Sequence, residues 1–314
     1  MNILITGVHG FVGSNLVKAL KDQHTIYGLD IVSQEKEGIV KTFSWDDLDN
    51  GLVPEVDAII HLAGKAHDTR NKSTAEIYFQ VNTDLTKKIY DYFTLHPNIK
   101  KFIFFSSVKA AVDKVEGEIL TEDVEPCPVG PYGESKVKAE EYILASTEMQ
   151  DGSRNGIIIL RPCMIHGPGN KGNLNLLYSV IKKGIPWPLG SFDNKRSFTS
   201  IGNLIYVIDR ILNSSIENGI YNMGDDKPLS TNDLIKLMCM AMGKKPLILK
   251  LGKKLIKTMA KAGDIAHLPL NTFRLKKLTE NYVVSNEKIK HALGIEKMPI
   301  DSSDGIITTI KSFN

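Results

Sequence analysis

The sequence predicts an α/β fold: a doubly wound parallel sheet with a smaller, mainly C-terminal lobe. Over the first half of the chain, short apolar runs typical of buried strands alternate with amphipathic helical stretches. A glycine-rich turn follows the first apolar run and precedes a helical stretch. After residue 165 the pattern changes to loops and helices with only short strands.

The composition limits what the chain can be. Its 314 residues are 42% hydrophobic and 24% charged, as in an ordinary globular protein with one large domain or two smaller ones. The net charge of +3 is too small to predict a nucleic-acid partner. Cys127, Cys163 and Cys239 stand far apart without metal-ligand spacing, which predicts free thiols in a reducing compartment and no metal.

No part of the sequence predicts export or membrane insertion. The chain runs from Met1 directly into a strand and a turn, which leaves no room for a signal peptide. No apolar run is long enough to span a bilayer. We therefore expect a cytoplasmic protein without integral membrane contact.

The first strand leads into a glycine turn that is typical of a phosphate site. Asn2–Thr6 is a short apolar run rich in β-branched residues, and a helical stretch begins near Ser14. Between them Gly7, Gly10 and Gly13 are spaced G-x-x-G-x-x-G. Such glycines let the backbone approach a pyrophosphate, and the helix dipole favours its negative charge.

The second strand, Thr25–Leu29, is followed by Asp30. An acid at this point can accept hydrogen bonds from both ribose hydroxyls of a dinucleotide, and it repels a 2′-phosphate. The sequence thus predicts NAD rather than NADP as the cofactor, with a solvated turn aspartate as the alternative.

Further apolar runs extend the sheet. The predicted strands span 39–43, 55–62, 101–105 and 156–161, and a long amphipathic helix spans 73–95. Because strands and helices alternate, we expect a parallel sheet, whose ligands lie at the carboxyl ends of the strands. Gly10, Asp30, Gly64 and Ser107 all fall at those ends.

The second half of the chain predicts a smaller unit. Helices are expected at 174–183, 202–213, 230–242, 251–262 and 285–292, with short strands at 197–201 and 219–223. We therefore expect an NAD-binding domain over 1–165, with returns to its core near 197–229. A mainly substrate-binding lobe would span 166–314.

Tyr132 and Lys136 stand four residues apart on a predicted helix that begins at Pro131. They would therefore share one helix face. A phenol beside an ammonium group ionises more easily, and it can then take a proton from a sugar hydroxyl. Taken alone, this spacing is more often a solvated helix face.

Positive charge is concentrated in one segment. Residues 244–277 hold ten Lys or Arg and one acid, Asp264, which gives +9 there and leaves −6 for the remainder. Leu251, Leu255 and Met259 recur every fourth residue, among Lys253, Lys254, Lys257 and Lys261. This pattern predicts a solvated amphipathic helix or, alternatively, a surface that meets anionic lipid or a membrane-bound glycan enzyme.

Together the motifs resemble those of the extended short-chain dehydrogenase/reductases, in the nucleotide-sugar epimerase/dehydratase branch. The segments that carry the resemblance are Thr6 to Gly13, His61 to Gly64, Val81 to Thr83, Phe105 to Ser107, Tyr132 to Lys136, Leu160 to Pro162, His166 to Gly169, Arg196 to Ile201 and Gly219 to Gly224. They span nearly the whole chain and look most like UDP-glucose 4-epimerases of bacterial polysaccharide type. The resemblance implies a Rossmann-type fold, NAD, and a nucleotide-sugar substrate, with UDP as the expected nucleotide.

The resemblance also implies a role for each matching residue. Ser107, Tyr132 and Lys136 would be catalytic, with Ser107 bonded to the reacting hydroxyl. The cofactor would be bound by Gly7, Gly10, Phe11, Val12, Gly13, Asp30, Leu62, Ala63, Gly64, Asn82, Ser106, Tyr132, Lys136 and Pro162. Ser107, Asn173 and Arg196 would bind substrate, the last two at its diphosphate. A surface charge for Arg196 and a helix N-cap for Asn173 are the alternatives.

Three departures from the family pattern matter. Where the family's 4,6-dehydratases carry Thr-Asp-Glu, this chain has Ser107-Val108-Lys109, so dehydratase activity is not expected. Lys109 is similar to a Ser-Ser-x-Lys variant of bacterial polysaccharide-locus epimerases and reductases. His166 replaces the usual tyrosine, and the usual adenine-contacting aspartate is not evident at Ser44-Trp45, with Asp46 as an unassigned substitute.

The resemblance favours a UDP-sugar 4-epimerase with a transient 4-keto sugar. An NAD(P)H-dependent 4-ketoreductase of a nucleotide 6-deoxy-sugar would use the same triad, so this alternative stays open, as do the sugar and the base. A catalytically silent nucleotide-binding scaffold is a third interpretation, which the intact triad disfavours. Helices 73–95 and 131–149 are the pair that this family commonly uses to form a homodimer. Phe79, Ile89 and Phe93 are candidates for its apolar surface, although some of them must instead cover the sheet.

Overall fold

The computed structural model describes residues 1–66, 74–149, 156–170, 172–266 and 270–313, apart from the side chains of 147–149 and 173. The strands among these residues are β1 (Asn2–Thr6), β2 (Thr25–Leu29), β3 (Lys41–Phe43), β4 (Ala58–His61), β5 (Lys101–Phe105), β6 (Ile157–Pro162), β7 (Met164–His166), β8 (Phe198–Ser200) and β9 (Gly219–Met223).

The helices of the first half are α1 (Phe11–Leu20), α2 (Trp45–Asp49), α3 (Ala75–Phe79), α4 (Leu85–Leu95), α5 (Val108–Ala111) and α6 (Pro131–Met149), with a π-helical turn at Gln80–Asp84 between α3 and α4. Those of the second half are α7 (Asn173–Lys182), α8 (Ile201–Leu212), α9 (Thr231–Ala241), α10 (Lys253–Ala266), α11 (Thr272–Thr279), α12 (Glu287–Leu293) and α13 (Ser302–Lys311). None of the described helices is long and apolar enough to cross a membrane.

Seven of the strands form one parallel sheet in the order β3-β2-β1-β4-β5-β6-β9. The strand order reverses between β1 and β4, and open α/β sheets bind ligands at such a switch point. The predicted doubly wound, Rossmann-type sheet is confirmed. Strands β7 and β8 pair separately, also in parallel.

Helices cover both faces of the sheet because its strands are apolar on both sides. Ile3 and Ile5 of β1 point to one face, where they pack with α1 and α8. Leu4 points to the other face, where it packs with α4 and α6. This alternation follows from the two-residue period of a strand, and fully apolar strands are typical of a covered parallel sheet.

Helix α4 lies on the sheet through side chains that the sequence assigned to a dimer surface. Ile89 and Phe93 are fully buried, and the Phe93 ring lies 5.2 Å from the ring of Phe102 in β5. Ile89 and Phe93 are therefore the candidates that cover the sheet, the alternative role expected for some of the three residues. Phe79 is only partly buried.

A third hydrophobic core lies among residues that follow β7. It includes Tyr178 of α7, Met238 of α9, Ile256 of α10 and Ile306 of α13. Helix α8 instead packs on the main sheet. The division into an NAD-binding and a substrate-binding unit stays a prediction, since packing alone assigns no ligand to either.

Candidate active site

The turn between β1 and α1 leaves room for a phosphate group. Gly7 has a φ of +65°, and a Cβ there would lie 2.9 Å from the Ala63 amide nitrogen. A Cβ on Gly13 would lie 2.6 Å from the Gly7 carbonyl oxygen, so the helix starts close against the turn. No side chain caps α1 at Gly10, which leaves the first N–H groups of the helix available to an anion. These residues fit the pyrophosphate of NAD.

Asp30 lies beside this turn. Its carboxylate accepts a hydrogen bond from the His9 amide at 3.1 Å and another from the Ile31 amide at 2.8 Å. A carboxylate offers about four acceptor sites, so capacity remains for a ribose diol. The position of the Asp30 carboxylate beside the glycine turn is consistent with the predicted contact to the ribose of NAD, and that contact stays a prediction.

A basic residue that the sequence did not predict, Lys36, lies at this end of the site. Lys36, in the loop after β2, donates from Nζ to Ser14 Oγ at 2.6 Å, in the first turn of α1. The same loop lines a cleft of about 710 Å³. Neither periodicity nor a motif predicts this contact of Lys36, because the distance from Lys36 to Ser14 depends on the path of a polar loop. Its charge would attract a phosphate and oppose the repulsion by Asp30.

We expect Asp30→Ala to weaken NAD binding about tenfold and to reduce the preference for NAD over NADP. The change removes charged acceptors of the ribose hydroxyls and the repulsion of a 2′-phosphate, while Lys36 remains. Calorimetric titration of both cofactors measures the two effects, with Asp22→Ala as an exposed control that should change neither. An unmodified protein that prefers NADP would contradict the assignment.

Behind the turn, a buried chain of hydrogen bonds ties the loop after β4 to β1 and to the π-helical turn. Thr6 Oγ1 accepts from the Ala63 amide at 3.0 Å and lies 2.6 Å from His61 Nδ1. His61 Nε2 lies 2.8 Å from Thr86 Oγ1, which donates to the Asn82 carbonyl. These directions place the His61 proton on Nε2. Burial holds the pKa of His61 well below its usual value, so the ring stays neutral.

Asn82, in the π-helical turn, is fully buried. Its side-chain oxygen accepts from the Lys65 amide at 2.7 Å, and its nitrogen donates to the Lys65 carbonyl and to Ser135 Oγ. A Cβ on Gly64 would lie 3.0 Å from Asn82 Oδ1 and 3.1 Å from Lys136 Nζ. Asn82 therefore holds this loop against α6, and its predicted contact with the cofactor stays a prediction.

Ser107 and Tyr132 meet at the carboxyl end of β5. Ser107 is the N-cap of α5, and its hydroxyl accepts from the Lys109 amide at 3.2 Å. Burial raises the pKa of Tyr132 above its usual value; a hydrogen bond with the Ser107 side chain lowers it, and Tyr78 adds a smaller increase. The phenol is therefore protonated at neutral pH.

Lys136 is buried one helical turn after Tyr132. Its Nζ donates to the Phe105 carbonyl at 2.8 Å and lies 4.8 Å from the centre of the Phe104 ring. Burial lowers the pKa of Lys136 to about 8, against a smaller raising effect of Glu140. The predicted lowering of the Tyr132 pKa by Lys136 is not found, because this ammonium is directed at the Phe105 carbonyl.

We expect NAD affinity to fall as the pH rises through about 8. The family resemblance implies that Lys136 holds the nicotinamide ribose, and only the protonated side chain has its full set of donors for the ribose hydroxyls. One pH unit above the pKa about a tenth of it stays protonated, so binding should weaken by up to about tenfold. Titrations across this range measure the effect, and Lys136→Arg should flatten the profile because arginine keeps its charge. A flat profile in the unmodified protein would contradict the prediction.

A buried ion pair supports α6, the helix that carries Tyr132 and Lys136, from the side of the sheet. Arg161 of β6 and Glu140 of α6 are each 1% exposed. Arg161 Nε donates to Glu140 Oε1 at 3.0 Å, and Nη2 donates to Oε2 at 2.5 Å. Ser106 donates its hydroxyl to the same carboxylate. The Ser106 hydroxyl is thus engaged by the ion pair, and the predicted place of Ser106 beside the cofactor stays a prediction.

Charged groups gather where α5 meets the second half of the chain. Lys109 donates from Nζ to the Asp113 carboxylate at 3.1 Å and lies 4.3 Å from the centre of the Tyr282 ring. Lys277 of α11 donates to the same carboxylate at 3.0 Å. Arg196 donates from Nη1 to the Lys277 carbonyl at 2.6 Å. Arg196 thus joins a cationic cluster that suits an anionic group such as a diphosphate.

The remaining predicted residues lie around these groups. Pro162 is buried at the end of β6, opposite Met223 of β9. Asn173 is the first residue of α7 and Gly172 is its N-cap, so the alternative N-cap role for Asn173 is wrong. Its side chain lies outside the described residues. Phe11, Val12, Leu62 and Ala63 are partly exposed near the glycine turn.

Comparisons with known proteins give these residues a context. The sequence model of the NAD dependent epimerase/dehydratase family matches residues 3–224. UDP-glucose 4-epimerase of Vibrio cholerae is 32% identical over 272 residues, which cover 77% of this chain and 76% of that protein.

A second relative and one solved structure also resemble the chain. N-acetyl-α-D-glucosaminyl-diphospho-ditrans,octacis-undecaprenol 4-epimerase of Escherichia coli O157:H7 is 28% identical over 250 residues, covering 78% of this chain and 73% of that protein. The crystal structure of UDP-glucuronic acid 4-epimerase from Bacillus cereus in complex with NAD superposes with a TM-score of 0.74 at 20% identity, covering 99% and 98% of the two chains.

Proposed function

The chain belongs to the NAD-dependent epimerase/dehydratase family, and we propose that it is a nucleotide-sugar 4-epimerase that acts through a transient 4-keto sugar. NAD is its cofactor. The three proteins compared above are all named as 4-epimerases. Because two of those names specify UDP sugars, the substrate that we propose is a UDP-linked hexose or N-acetylhexosamine.

The observation that carries the proposal is the arrangement at the end of β5. The Ser107 side chain lowers the pKa of Tyr132 through hydrogen bonding, and Lys136 is anchored one helical turn further along α6. Water elimination would need an additional acid and base beside Ser107. Val108 is apolar and buried, and Lys109 is paired with Asp113. The site therefore favours proton transfer at one hydroxyl over dehydration.

In this proposal each residue has one task. Tyr132 acts as the phenolate, which the positive charge of bound oxidised NAD would favour, after its own proton has left to solvent. The phenolate takes the proton of the sugar 4-hydroxyl and the resulting phenol later returns it, while Ser107 holds the oxygen by a hydrogen bond. Bound NAD supplies the hydride acceptor and donor for the sugar C4 carbon. Arg196 anchors the diphosphate, so that the hexose can turn and present its other face.

The experiment is to incubate the purified protein with UDP-hexoses and UDP-N-acetylhexosamines without added cofactor and to follow the products by NMR. We expect the C4 epimer, because an epimerase regenerates its NAD in each turnover. A second reaction supplies a UDP-4-keto-6-deoxy sugar with NADH or NADPH. Stoichiometric consumption of reduced cofactor there, with no epimer from any UDP sugar, would favour the 4-ketoreductase instead.

We also propose a homodimer through α3, α4 and α6, although not through Ile89 and Phe93. Ile77 of α3 and Leu95 of α4 are exposed large apolar side chains on this stretch. We expect sedimentation velocity at micromolar concentration to give about twice the chain mass of 34.8 kDa. A single species of 34.8 kDa would count against the dimer.

A further inference from the structure

Helix α10 is attached to the protein by only one of its faces. Ile256, Ala260 and Gly263, spaced i, i+4 and i+7, are the buried residues of this helix. A Cβ on Gly263 would lie only 1.9 Å from the Leu270 carbonyl oxygen, so the chain passes directly over this face. The sequence predicted an amphipathic helix here from the repeat of Leu251, Leu255 and Met259, and Leu255 and Met259 lie outside its buried face.

A second face of α10 is apolar and exposed. Leu255, Met259, Ala262 and Ala266 follow the same helical spacing, one position out of step with the buried face. Leu255 is 54% and Met259 46% exposed. Ile265, near the end of the helix, is 85% exposed. Exposed apolar side chains that share a face mark an interaction surface more often than isolated ones do.

A third face of α10 is basic. Lys254, Lys257 and Lys261 are spaced i, i+3 and i+7, and all three are exposed. The single acid of the segment, Asp264, accepts a hydrogen bond from the Thr272 amide at 3.0 Å. The helix therefore presents a row of lysines next to a row of apolar side chains.

Helix α11 extends this surface. Thr272, which bonds to Asp264, is followed by Phe273, whose side chain is 67% exposed. Ile265 follows Asp264 and Phe273 follows Thr272, so this hydrogen bond brings two exposed apolar residues to the same junction of α10 and α11. Exposed apolar side chains together with lysines are typical of helices that lie in a membrane interface. We name the residues Lys254, Leu255, Lys257, Met259, Lys261, Ile265 and Phe273 the α10–α11 surface.

The charge distribution indicates the partner. Residues 244–277 carry +9 while the remainder of the chain carries −6, so one region alone favours an anionic surface. Nucleic acid would use the lysines but would have no use for the apolar row. A bilayer with anionic headgroups uses both, because headgroups attract the lysines and the acyl boundary accepts the apolar side chains.

We propose that the α10–α11 surface docks the protein peripherally on a membrane that contains anionic phospholipid. The docked segment also reaches the candidate active site. Lys277 of α11 donates to the Asp113 carboxylate, and the Lys277 carbonyl accepts from Arg196. Docking therefore holds Arg196 and Lys277, at the end of the site where we propose that the substrate diphosphate binds, close to the lipid surface. This inference stands on the surface alone and does not depend on which sugar is epimerised.

The test is co-sedimentation of the full chain with phosphatidylcholine vesicles that contain or lack phosphatidylglycerol, at low and high salt. We expect binding only to the anionic vesicles, weakened by salt. Lys254→Gln/Lys257→Gln/Lys261→Gln should weaken it on the order of 100-fold, since each lysine near an anionic surface contributes roughly fivefold. The matched control is Lys18→Gln/Lys297→Gln/Lys311→Gln, which removes the same charge at exposed positions elsewhere and should change binding little.

A second variant separates lipid from other anionic partners. Leu255→Ser/Met259→Ser keeps every charge and alters only exposed side chains, so it should fold normally and weaken vesicle binding about tenfold. Circular dichroism and thermal unfolding verify the fold of each variant. The proposal is overturned if the protein does not bind anionic vesicles, or if both lysine triples weaken binding equally. It is also overturned if the serine variant binds as well as the unmodified protein, which would indicate a purely electrostatic partner such as nucleic acid.

Discussion

Tyr132→Phe should lower kcat by a factor of about 10² to 10⁴ while leaving the fold and NAD binding intact. The variant loses only the phenolic hydroxyl, which is the group that contacts Ser107 and would exchange the proton with the sugar. The ring remains, so its packing against Tyr78, with ring centres 6.4 Å apart, is kept. Initial rates by NMR and NAD titration give the two quantities separately.

The matched control for this variant lies on the same helix. Tyr142→Phe also removes one phenolic hydroxyl from α6, but that hydroxyl donates to Asp91 at 2.6 Å, away from Ser107 and Lys136. Its kcat should stay within about twofold of the unmodified value, since it removes no general acid or base. Ser107→Ala should fall between the two, because it removes one hydrogen bond to the reacting oxygen. Near-normal kcat in Tyr132→Phe would remove this residue from the mechanism.

The sequence predicted best those elements whose bounds depend only on residues close together in the chain. Strands β1, β2 and β5 have the predicted bounds, because each is an unbroken apolar run between turns or polar residues. The parallel direction of the strands also followed from local information, because strands that alternate with helices are joined by crossover connections. The predicted helix 73–95 is interrupted by a π-helical turn, which buries Asn82 and Thr83 and which no periodicity reveals.

Other elements were missed because they are short or polar. Helix α5 has four residues and exists because Ser107 caps it at the end of β5. Helix α13 begins with Asp301 as N-cap and buries Ile306 and Ile310, yet its serines and threonines weaken the apolar pattern. Neither would be assigned from propensity alone.

The candidate site shows the same limit. Gly7, Gly13 and Asp30 were recognisable because they lie within one strand-turn-helix motif and the strand that follows it. The engagement of Ser106 by Glu140, and the reach of Lys36 to Ser14, depend on which elements become neighbours in space. No spacing in the sequence contains that information.

Among the contacts between elements that lie far apart in the sequence, the Glu140–Arg161 ion pair has the largest expected effect on stability. The two residues stand on different elements, and both are excluded from water. Removing one partner leaves the other as an uncompensated buried charge, which typically costs about 3–5 kcal/mol. We therefore expect Glu140→Ala to lower the free energy of unfolding by about that amount, as measured by urea denaturation.

A neighbouring acid provides the control for that variant. Glu141 is the next residue on α6, but it forms an exposed pair with Lys138, with side chains 54% and 59% exposed. Glu141→Ala should change the free energy of unfolding by less than about 1 kcal/mol. The double variant Glu140→Met/Arg161→Met removes both charges and should recover much of the loss, because apolar side chains of similar size often replace buried pairs without large cost.

The same carboxylate also acts on Lys136, which gives a variant of Glu140 a second measurable effect. Glu140 raises the pKa of Lys136, opposing the burial that lowers this pKa to about 8. Glu140→Gln keeps the size of the side chain and removes the charge, so the Lys136 pKa should fall further. The pH above which NAD affinity declines should then move to lower values, in the direction opposite to Lys136→Arg. Two results would contradict this account. If Glu140→Ala unfolds no more easily than Glu141→Ala, the pair does not stabilise α6. If the pH dependence of NAD affinity is unchanged in Glu140→Gln, Glu140 does not tune the pKa of Lys136.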